Sequence, residues 1–255
     1  MTGRGQVERP TDWDRHWRAE PLDREAPLAE ARTPRWRAQE RIVRERLGGL
    51  EGLTAIEIGA GRGLNALLYA REGAMVTLLD LSELALEQAR WLFDAHRLPV
   101  ETVRGDVFDL PDELRARFDV SMSFGLCEHF VGERRREVVC AHLALLRPAG
   151  IAMIGVPNRL APAYRLWKGV LTRRGTWPLG TEDPFTAGEL SRLVAACGGK
   201  PLPAVYGSFA ASIVNHGVNQ LLHKLGRRPL GVPQARIPVL DRLAYELLVP
   251  AVRPE

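Results

Sequence analysis

The chain has 255 residues, 45% of them hydrophobic and 26% charged, which is ordinary for a globular protein and sufficient for one α/β domain with additions. It shows no apolar leader and no apolar run of about 18 residues, so we expect a cytoplasmic protein rather than an exported or membrane-spanning one. The net charge of +4 is carried mostly by arginines that alternate with acids. That pattern favours solvated helix faces, and no nucleic-acid partner is expected.

The three cysteines are Cys127, Cys140 and Cys197, and they are far apart in the sequence. None belongs to a C-x-x-C pair or to a Cys/His spacing typical of a metal site. We therefore expect reduced, mostly buried thiols, as is usual in a cytosolic protein.

Residues 1–50 are interpreted as an N-terminal extension with a cap helix, and the first ten residues are expected to be disordered. Thr33 and Pro34 predict a helix start, as N-cap and first-turn residue, and Gly48-Gly49 predicts its end. The predicted apolar face of this helix consists of Trp36, Ile42, Val43 and Leu47.

From Thr54 onward the sequence alternates between apolar, β-branched runs and helical patterns. Strands are predicted near 54–59, 75–80, 99–105, 118–124 and 150–156. Helices are predicted near 63–72, 82–96, 111–117 and 133–147. This alternation indicates a mainly parallel sheet that is covered on both faces, in which ligands bind beyond the carboxyl ends of the strands.

The first predicted turn reads Glu57-Ile58-Gly59-Ala60-Gly61-Arg62-Gly63, between a buried strand and a helix. Glycines allow positive φ and a close approach of a ligand to the backbone. A dinucleotide fingerprint would place its third glycine at position 64, where this chain has Leu64. The observed pattern is E-x-G-x-G-x-G.

Three further motifs follow at the ends of later strands. Asp80 ends the second strand, where its carboxylate can accept hydrogen bonds from both ribose hydroxyls of an adenosyl group or cap the next helix near Ser82. The third strand ends in Gly105-Asp106-Val107. The fourth runs as F-D-V-S-M-S-F-G-L-C-E-H-F over residues 118–130, and L-L-R-P-A-G at 145–150 precedes the fifth.

In combination, these motifs resemble those of the class I S-adenosylmethionine-dependent methyltransferases, over about residues 50–158. The fourth-strand pattern is similar to that of small-molecule enzymes such as the ubiquinone-biosynthesis O-methyltransferases. The resemblance implies a Rossmann-like, doubly wound, mainly parallel seven-stranded sheet with an N-terminal helical cap. The chain departs from the family's L-x-P-G-G turn at Ala149, which stands in place of the first glycine. We expect this replacement to have little effect on the turn if φ is negative there.

The resemblance also implies the cofactor, S-adenosyl-L-methionine, and the residues that bind it. These are Glu57, Gly59, Ala60, Gly61, Gly63, Asp80, Leu81, Asp106, Val107, Phe124 and Gly125. Glu57 could equally anchor the glycine loop, and Asp106 could be only a turn residue. In such enzymes the N-terminal helices cap the cofactor cleft, so Trp13 and Trp17 are expected either as lid residues or as packing residues.

His129 is the candidate general base, because its ordinary pKa near 6.5 suits proton removal at neutral pH. Glu128 is the competing or cooperating carboxylate. The alternative is that His129 only hydrogen-bonds the loop. Two adjacent residues do not make a metal site, so no metal is predicted.

A lid insertion is predicted at about 158–185, within a methyltransferase domain that covers residues 51–255. A short helix over 162–172 would place Tyr164 and Trp167 on one side, and these two residues and Trp177 are the predicted substrate-binding residues. The alternative is that they seal the sheet edge. Thr186 predicts a capping box for a helix that ends at Gly198-Gly199.

The last stretch is predicted to form late strands within 202–214 and a helical segment over about 212–225. The tail carries Arg227, Arg228 and Arg236 beside the apolar Leu240, Leu243, Leu247 and Leu248. Such a basic end could lie on an anionic membrane, but packing on the domain or on a second subunit is favoured. A monomer or a homodimer is expected.

The leading hypothesis is methyl transfer to a small-molecule acceptor, at an oxygen on an aromatic or hydrophobic substrate. Its rivals are an N- or C-methyltransferase of a small molecule and a non-catalytic subunit that binds an adenosyl ligand. An RNA methyltransferase is a further rival, against which the lack of a recognisable RNA-binding module argues.

Overall fold

The computed structural model describes residues 10–233 and 235–255. The disorder expected for the first ten residues falls outside these ranges, except at Pro10, which begins the first helix.

The centre of the molecule is one sheet with strand order β3-β2-β1-β4-β5-β8-β6, and β7 also pairs with β8. Its strands are β1 Thr54–Ile58, β2 Met75–Asp80, β3 Glu101–Arg104, β4 Phe118–Phe124, β5 Leu146–Pro157, β6 Lys200–Pro201, β7 Val205–Tyr206 and β8 Glu246–Val252. The first five strands are parallel, as predicted, and β8 is antiparallel to β5. The described residues form eight strands instead of the predicted seven, because two short strands, β6 and β7, both pair with β8.

Helices cover both faces of this sheet. They are α1 Pro10–Ala19, α2 Ala26–Glu30, α3 Pro34–Leu47, α4 Leu64–Arg71, α5 Glu83–Ala95, α6 Glu133–Leu145, α7 Pro162–Arg173, α8 Ala187–Ala196, α9 Phe209–Ile213, α10 Asn219–Lys224 and α11 Pro238–Asp241. Val214–Val218 joins α9 to α10 as a π-helical turn. The Rossmann-like fold class is thus confirmed.

Two apolar clusters lie on opposite faces of the sheet, because successive side chains of a strand alternate in direction. Ala55 and Val120 belong to one cluster, and Ile56 and Ile58 belong to the other. These strands are almost wholly buried, which is why their sequences read as continuous apolar runs.

The helix starts follow the capping chemistry of the sequence. Thr33 caps α3 and Thr186 caps α8, as predicted. In each case the side-chain oxygen accepts the backbone N–H of the residue three positions later. The helix expected over 111–117 is wrong, because only a 3-10 turn forms at Asp112–Leu114. Ala116 then adopts a φ of 50°, which no right-handed helix permits.

Cys140 and Cys197 form a disulfide bond, with their Cα atoms 5.1 Å apart. The expectation of reduced thiols is therefore wrong for these two residues and holds only for Cys127, which is buried and free. The pairing was not visible in the sequence, since 57 positions separate the two residues and the packing of α6 against α8 brings them together.

Ala149 has a φ of 62°. The expectation that alanine replaces the family's glycine here with little effect required a negative φ and is therefore wrong. Its backbone N–H donates to the carbonyl of Arg253 at 3.0 Å, and this bond fixes the turn that leads into the buried part of β5. An alanine in this left-handed region is strained, which glycine would not be.

The C-terminal region follows the predictions only in part. One short strand, β7, lies within 202–214, and helical turns span 209–224. The end of the tail packs on the domain, as the favoured interpretation expects. Leu247 and Leu248 are buried in β8, because this strand inserts between β5 and β6. Within the described residues, no helix has the length and apolarity needed to cross a membrane.

Candidate functional site

A cavity of about 300 Å³ lies beyond the carboxyl ends of β1, β2, β3 and β4. Loops that follow these four strands line it, together with α1 and the segment between α7 and α8. This is the position at which open α/β sheets bind ligands, because the strand ends leave a crevice there.

The glycine loop forms one wall of the cavity. Gly59 and Gly61 have φ values of 58° and 52°, a conformation that favours glycine. A Cβ atom on Gly61 would lie 2.5 Å from the Trp17 ring, and one on Gly59 would lie 2.5 Å from the Leu126 side chain. The loop therefore needs both glycines to fit beneath its neighbours.

Asp80 holds the glycine loop in place. One carboxylate oxygen accepts the Gly61 N–H and the other accepts the Ser82 N–H, each at 2.8 Å. Ser82 caps α5 by itself, so the helix does not require Asp80 for that purpose. Burial raises the pKa of Asp80 against the opposing effect of these bonds. Each oxygen keeps a lone pair, and the side chain lines the cavity.

Asp106 lines the cavity from the end of β3, next to Val107 and Phe108. Its Oδ1 accepts the Phe108 N–H at 3.0 Å, so it is a turn residue, and its Oδ2 remains available to a ligand. A carboxylate beside two apolar side chains is suited to a flat ring that carries an amino group.

The structure brings nine of the eleven predicted cofactor residues to the cavity. These are Gly59, Ala60, Gly61, Asp80, Leu81, Asp106, Val107, Phe124 and Gly125. The contacts of these nine residues with a ligand stay predictions. Glu57 and Gly63 do not line the cavity.

Glu57 lies below the glycine loop and accepts the Ala66 N–H at 2.9 Å, in the first turn of α4. This is the anchoring role that the sequence left open. Burial raises its pKa to about 8. Gly63 begins the same helix, and a Cβ there would lie 2.7 Å from the Leu78 side chain, so this glycine allows helix and sheet to approach closely.

Glu128 lies in the 3-10 turn Cys127–His129, and its side chain is buried at the cavity wall. Its Oε2 has no hydrogen-bond partner among the described residues. Burial raises the pKa of this carboxyl to about 8, so it is mostly protonated at neutral pH. A buried polar atom without a partner at a cavity wall is suited to bind a polar ligand.

His129 lies beside Glu128 and is also buried at the cavity wall. Its Nδ1 lies 2.7 Å from the Thr181 carbonyl oxygen, which can only accept, so Nδ1 carries the proton and donates. Burial lowers its pKa to about 4. The imidazole is therefore neutral at pH 7, and its Nε2 is an acceptor.

Three residues of α1 close the cavity from above. Trp13, His16 and Trp17 all line it, and the Trp13 ring packs edge-on against His129 with centroids 4.8 Å apart. Arg62 of the glycine loop donates to the carbonyls at the end of α1, including that of Glu20 at 2.7 Å. The N-terminal helix thus lies over the cavity in the position of a lid.

Glu182 is a cavity residue to which the sequence assigned no role. Tyr164 donates a hydrogen bond to one of its oxygens, and the Lys168 ammonium lies 4.0 Å from the other. The neighbouring Asp183 N–H donates to the Glu128 carbonyl at 2.7 Å. The sequence signal was the polar run at 180–183, but only the fold shows that this run contacts the Glu128 turn. Tyr245 also lines the cavity and carried no signal.

Tyr164, Trp167 and Trp177 lie together but do not line the cavity. They pack as an aromatic group with His216 and Tyr245, at centroid distances such as 5.1 Å for the two tryptophans and 4.8 Å for Tyr164 and Tyr245. The helix predicted over 162–172 is confirmed as α7. Acceptor binding by these three residues stays a prediction, and Tyr164 contacts two residues that do line the cavity, Glu182 and Tyr245.

The residues at the cavity fit an adenosyl ligand. Asp80 and Asp106 offer carboxylate oxygens to hydroxyl and amino groups, and the glycine loop offers bare backbone at a helix start. For a metal ion, the described residues contain no group of three or more His, Cys, Asp or Glu side chains that could hold one.

Comparison with known proteins agrees with this arrangement. Residues 55–150 match the family described as methyltransferase domain. A ubiquinone biosynthesis O-methyltransferase of Alkalilimnicola ehrlichii is 34% identical over 124 residues, which cover 48% of this chain and 49% of that enzyme. The chain thus matches about half the length of this relative.

Solved structures support the fold. One, from work on the conversion of a disulfide bond into a thioacetal group during echinomycin biosynthesis, has a TM-score of 0.64 and 22% identity, covering 96% of this chain and 93% of that one. The 1,6-didemethyltoxoflavin-N1-methyltransferase of Burkholderia thailandensis, with bound S-adenosylhomocysteine, has a TM-score of 0.57 and 19% identity, covering 99% and 94%. Residues 55–150 thus match a methyltransferase domain, and in its motifs and fold the chain is similar to the class I S-adenosylmethionine-dependent methyltransferases.

Proposed function

We propose that this protein transfers a methyl group from S-adenosylmethionine to an oxygen of a small aromatic or hydrophobic acceptor. The observation that carries this proposal is the buried carboxyl of Glu128, whose Oε2 has no hydrogen-bond partner in the described part of the chain, beside the neutral His129 at the cavity wall. S-adenosylmethionine supplies an electrophilic methyl group, so the protein has to position the acceptor, exclude water and take up a proton.

Glu128 is the better base of the two candidates. A base works best when the pKa of its conjugate acid lies near the working pH, because it must both be free to accept a proton and hold it. The pKa of about 8 for Glu128 meets this condition, whereas an imidazole with a pKa of about 4 does not retain a proton at pH 7. The acceptor hydroxyl then donates its hydrogen bond to the Glu128 carboxylate, which takes up the proton, and the neutral His129 forms the cavity wall beside it.

The apolar wall supports an aromatic or hydrophobic acceptor. Trp13, Phe130 and Leu179 face the cavity near the Glu128 turn, and α1 covers it from the solvent. Asp80, Asp106 and the glycine loop would hold the adenosyl part at the other side, at the strand ends.

The test is formation of S-adenosylhomocysteine from S-adenosylmethionine with a panel of phenols, anilines and hydroxylated aliphatic compounds. We expect activity with phenols, and a rate that rises with pH up to about 8 in the wild type and loses this dependence in Glu128→Gln. Methylation of the anilines alone, shown by mass spectrometry and NMR of the product, would support the N-methyltransferase alternative. Cofactor binding with no transfer to any acceptor would support the non-catalytic alternative.

A further inference from the structure

The helical run after α9 exposes a stripe of apolar side chains. Val218, Leu221 and Leu225 follow one another at spacings of three and four residues, so they lie on one face of the helix. Their exposed fractions are 37%, 59% and 61%. This stripe faces solvent, whereas the apolar face of a helix in a globular protein usually faces the core.

Two neighbouring segments carry further exposed leucines. Asn219 exchanges two hydrogen bonds with the backbone of Leu230, at 2.7 Å and 3.0 Å, and this holds the exposed Leu230 next to α10. Helix α7 packs against the π-helical turn through Trp167 and His216, and it exposes 72% of Leu166. We call Leu166, Val218, Leu221, Leu225 and Leu230 the apolar surface.

The segments that carry the apolar surface are basic, although Asp183, which is paired with Arg159, lies in the same surface groove as Leu166. The sequence contains no Asp or Glu at positions 159–181 or 190–240, although acids make up 31 of the 255 residues. Arg173 and Arg174 end α7, and Arg227 and Arg228 follow α10, all four with exposed side chains. None of these four forms an ion pair with another residue of the part described.

We propose that this surface docks onto an anionic phospholipid membrane. Exposed leucines flanked by arginines match the boundary of such a membrane, where apolar side chains enter the acyl region and cations contact the headgroups. The contact shares Arg227 and Arg228 with the tail hypothesis but uses different leucines, because Leu247 and Leu248 are buried in β8 and take no part. It also places α7, whose inner face holds Glu182 through Tyr164 and Lys168, beside the lipid.

Flotation of the full chain with lipid vesicles tests this proposal. We expect the protein to float with vesicles of phosphatidylcholine mixed with phosphatidylglycerol, to float much less with phosphatidylcholine alone, and to be released by added salt. The double variant Arg227→Gln/Arg228→Gln should weaken binding about 30-fold, since each cation near an anionic surface contributes about fivefold.

The apolar part of the surface is tested by Leu221→Ser/Leu225→Ser, with Met75→Ser as the matched control. Met75 is 61% exposed, like Leu225, but lies at the start of β2. The leucine variant should lose vesicle binding and the control should keep it. An absence of wild-type binding to the anionic vesicles, or equal binding by all variants, overturns the proposal. The proposal is also overturned if the wild type is a dimer in solution and the leucine variant is a monomer, because the surface would then bind a second copy of the chain.

Discussion

Replacing Glu128 by glutamine should change how the stability of the protein depends on pH. The pKa of Glu128 is raised by burial from its ordinary 4.5 to about 8, so the folded state holds this proton more tightly than the unfolded state. The stabilisation is fully present below the unfolded pKa and is lost as the pH rises through about 8. The shift corresponds to a free energy on the order of 5 kcal/mol as an upper limit.

Glutamine has nearly the shape of a protonated glutamate and does not ionise. The free energies of unfolding of wild type and Glu128→Gln should therefore be similar at about pH 5, and the variant should be more stable by several kcal/mol at about pH 9. Urea unfolding at a series of pH values measures this difference. The exposed Glu113 provides the control variant, Glu113→Gln, which should leave the pH dependence unchanged.

The reasoning would be refuted if the free energies of unfolding of wild type and Glu128→Gln differed by the same amount from about pH 5 to about pH 9. It would mean that Glu128 ionises as it would in water, and the argument that it is the base suited to neutral pH would fail with it. Because the test needs no acceptor, its result does not depend on knowing the substrate.

Three further changes should alter stability, each measured by urea unfolding. Ala149→Gly should stabilise the protein by about 1 kcal/mol, because Ala149 has a φ of 62° and an exposed side chain. The control Ala195→Gly lies in α8 and should destabilise the protein by a similar amount. Equal effects of the two substitutions would contradict this. Reducing the disulfide between Cys140 and Cys197 should cost about 2–4 kcal/mol, since it closes a long loop, and no loss on reduction would show that the bond does not constrain the chain. Gly63→Ala should destabilise by about 2 kcal/mol or more, because its Cβ would meet Leu78 at a φ of 66°, and an unchanged midpoint would contradict that contact.

The sequence predicted the parts of the fold that depend on local patterns. The five parallel strands follow from their continuous apolar runs, and the caps at Thr33 and Thr186 follow from side chains that accept hydrogen bonds two or three residues away. Asp80 and Asp106 reach the cavity because each directly follows a strand, and the parallel strands all end at the same edge.

What the sequence did not show depends on contacts between distant segments. The sequence favours packing of the tail on the domain but does not predict strand β8, whose leucines become core residues through its place between β5 and β6. The disulfide depends on the packing of α6 on α8, and the position of Glu182 depends on the hydrogen bonds that the insertion makes with the Glu128 turn. The sign of φ at Ala149 was likewise a property of the folded turn.

Calorimetric titration with S-adenosylmethionine tests the central claim most directly, using wild type, Asp80→Asn and the exposed control Asp112→Asn. Asparagine can accept only one of the Gly61 and Ser82 N–H groups and lacks the charge. We therefore expect wild type and control to bind equally and Asp80→Asn to bind about tenfold to a hundredfold more weakly. No binding by the wild type, or equal affinity in Asp80→Asn, would contradict the assignment of this cavity as the cofactor site.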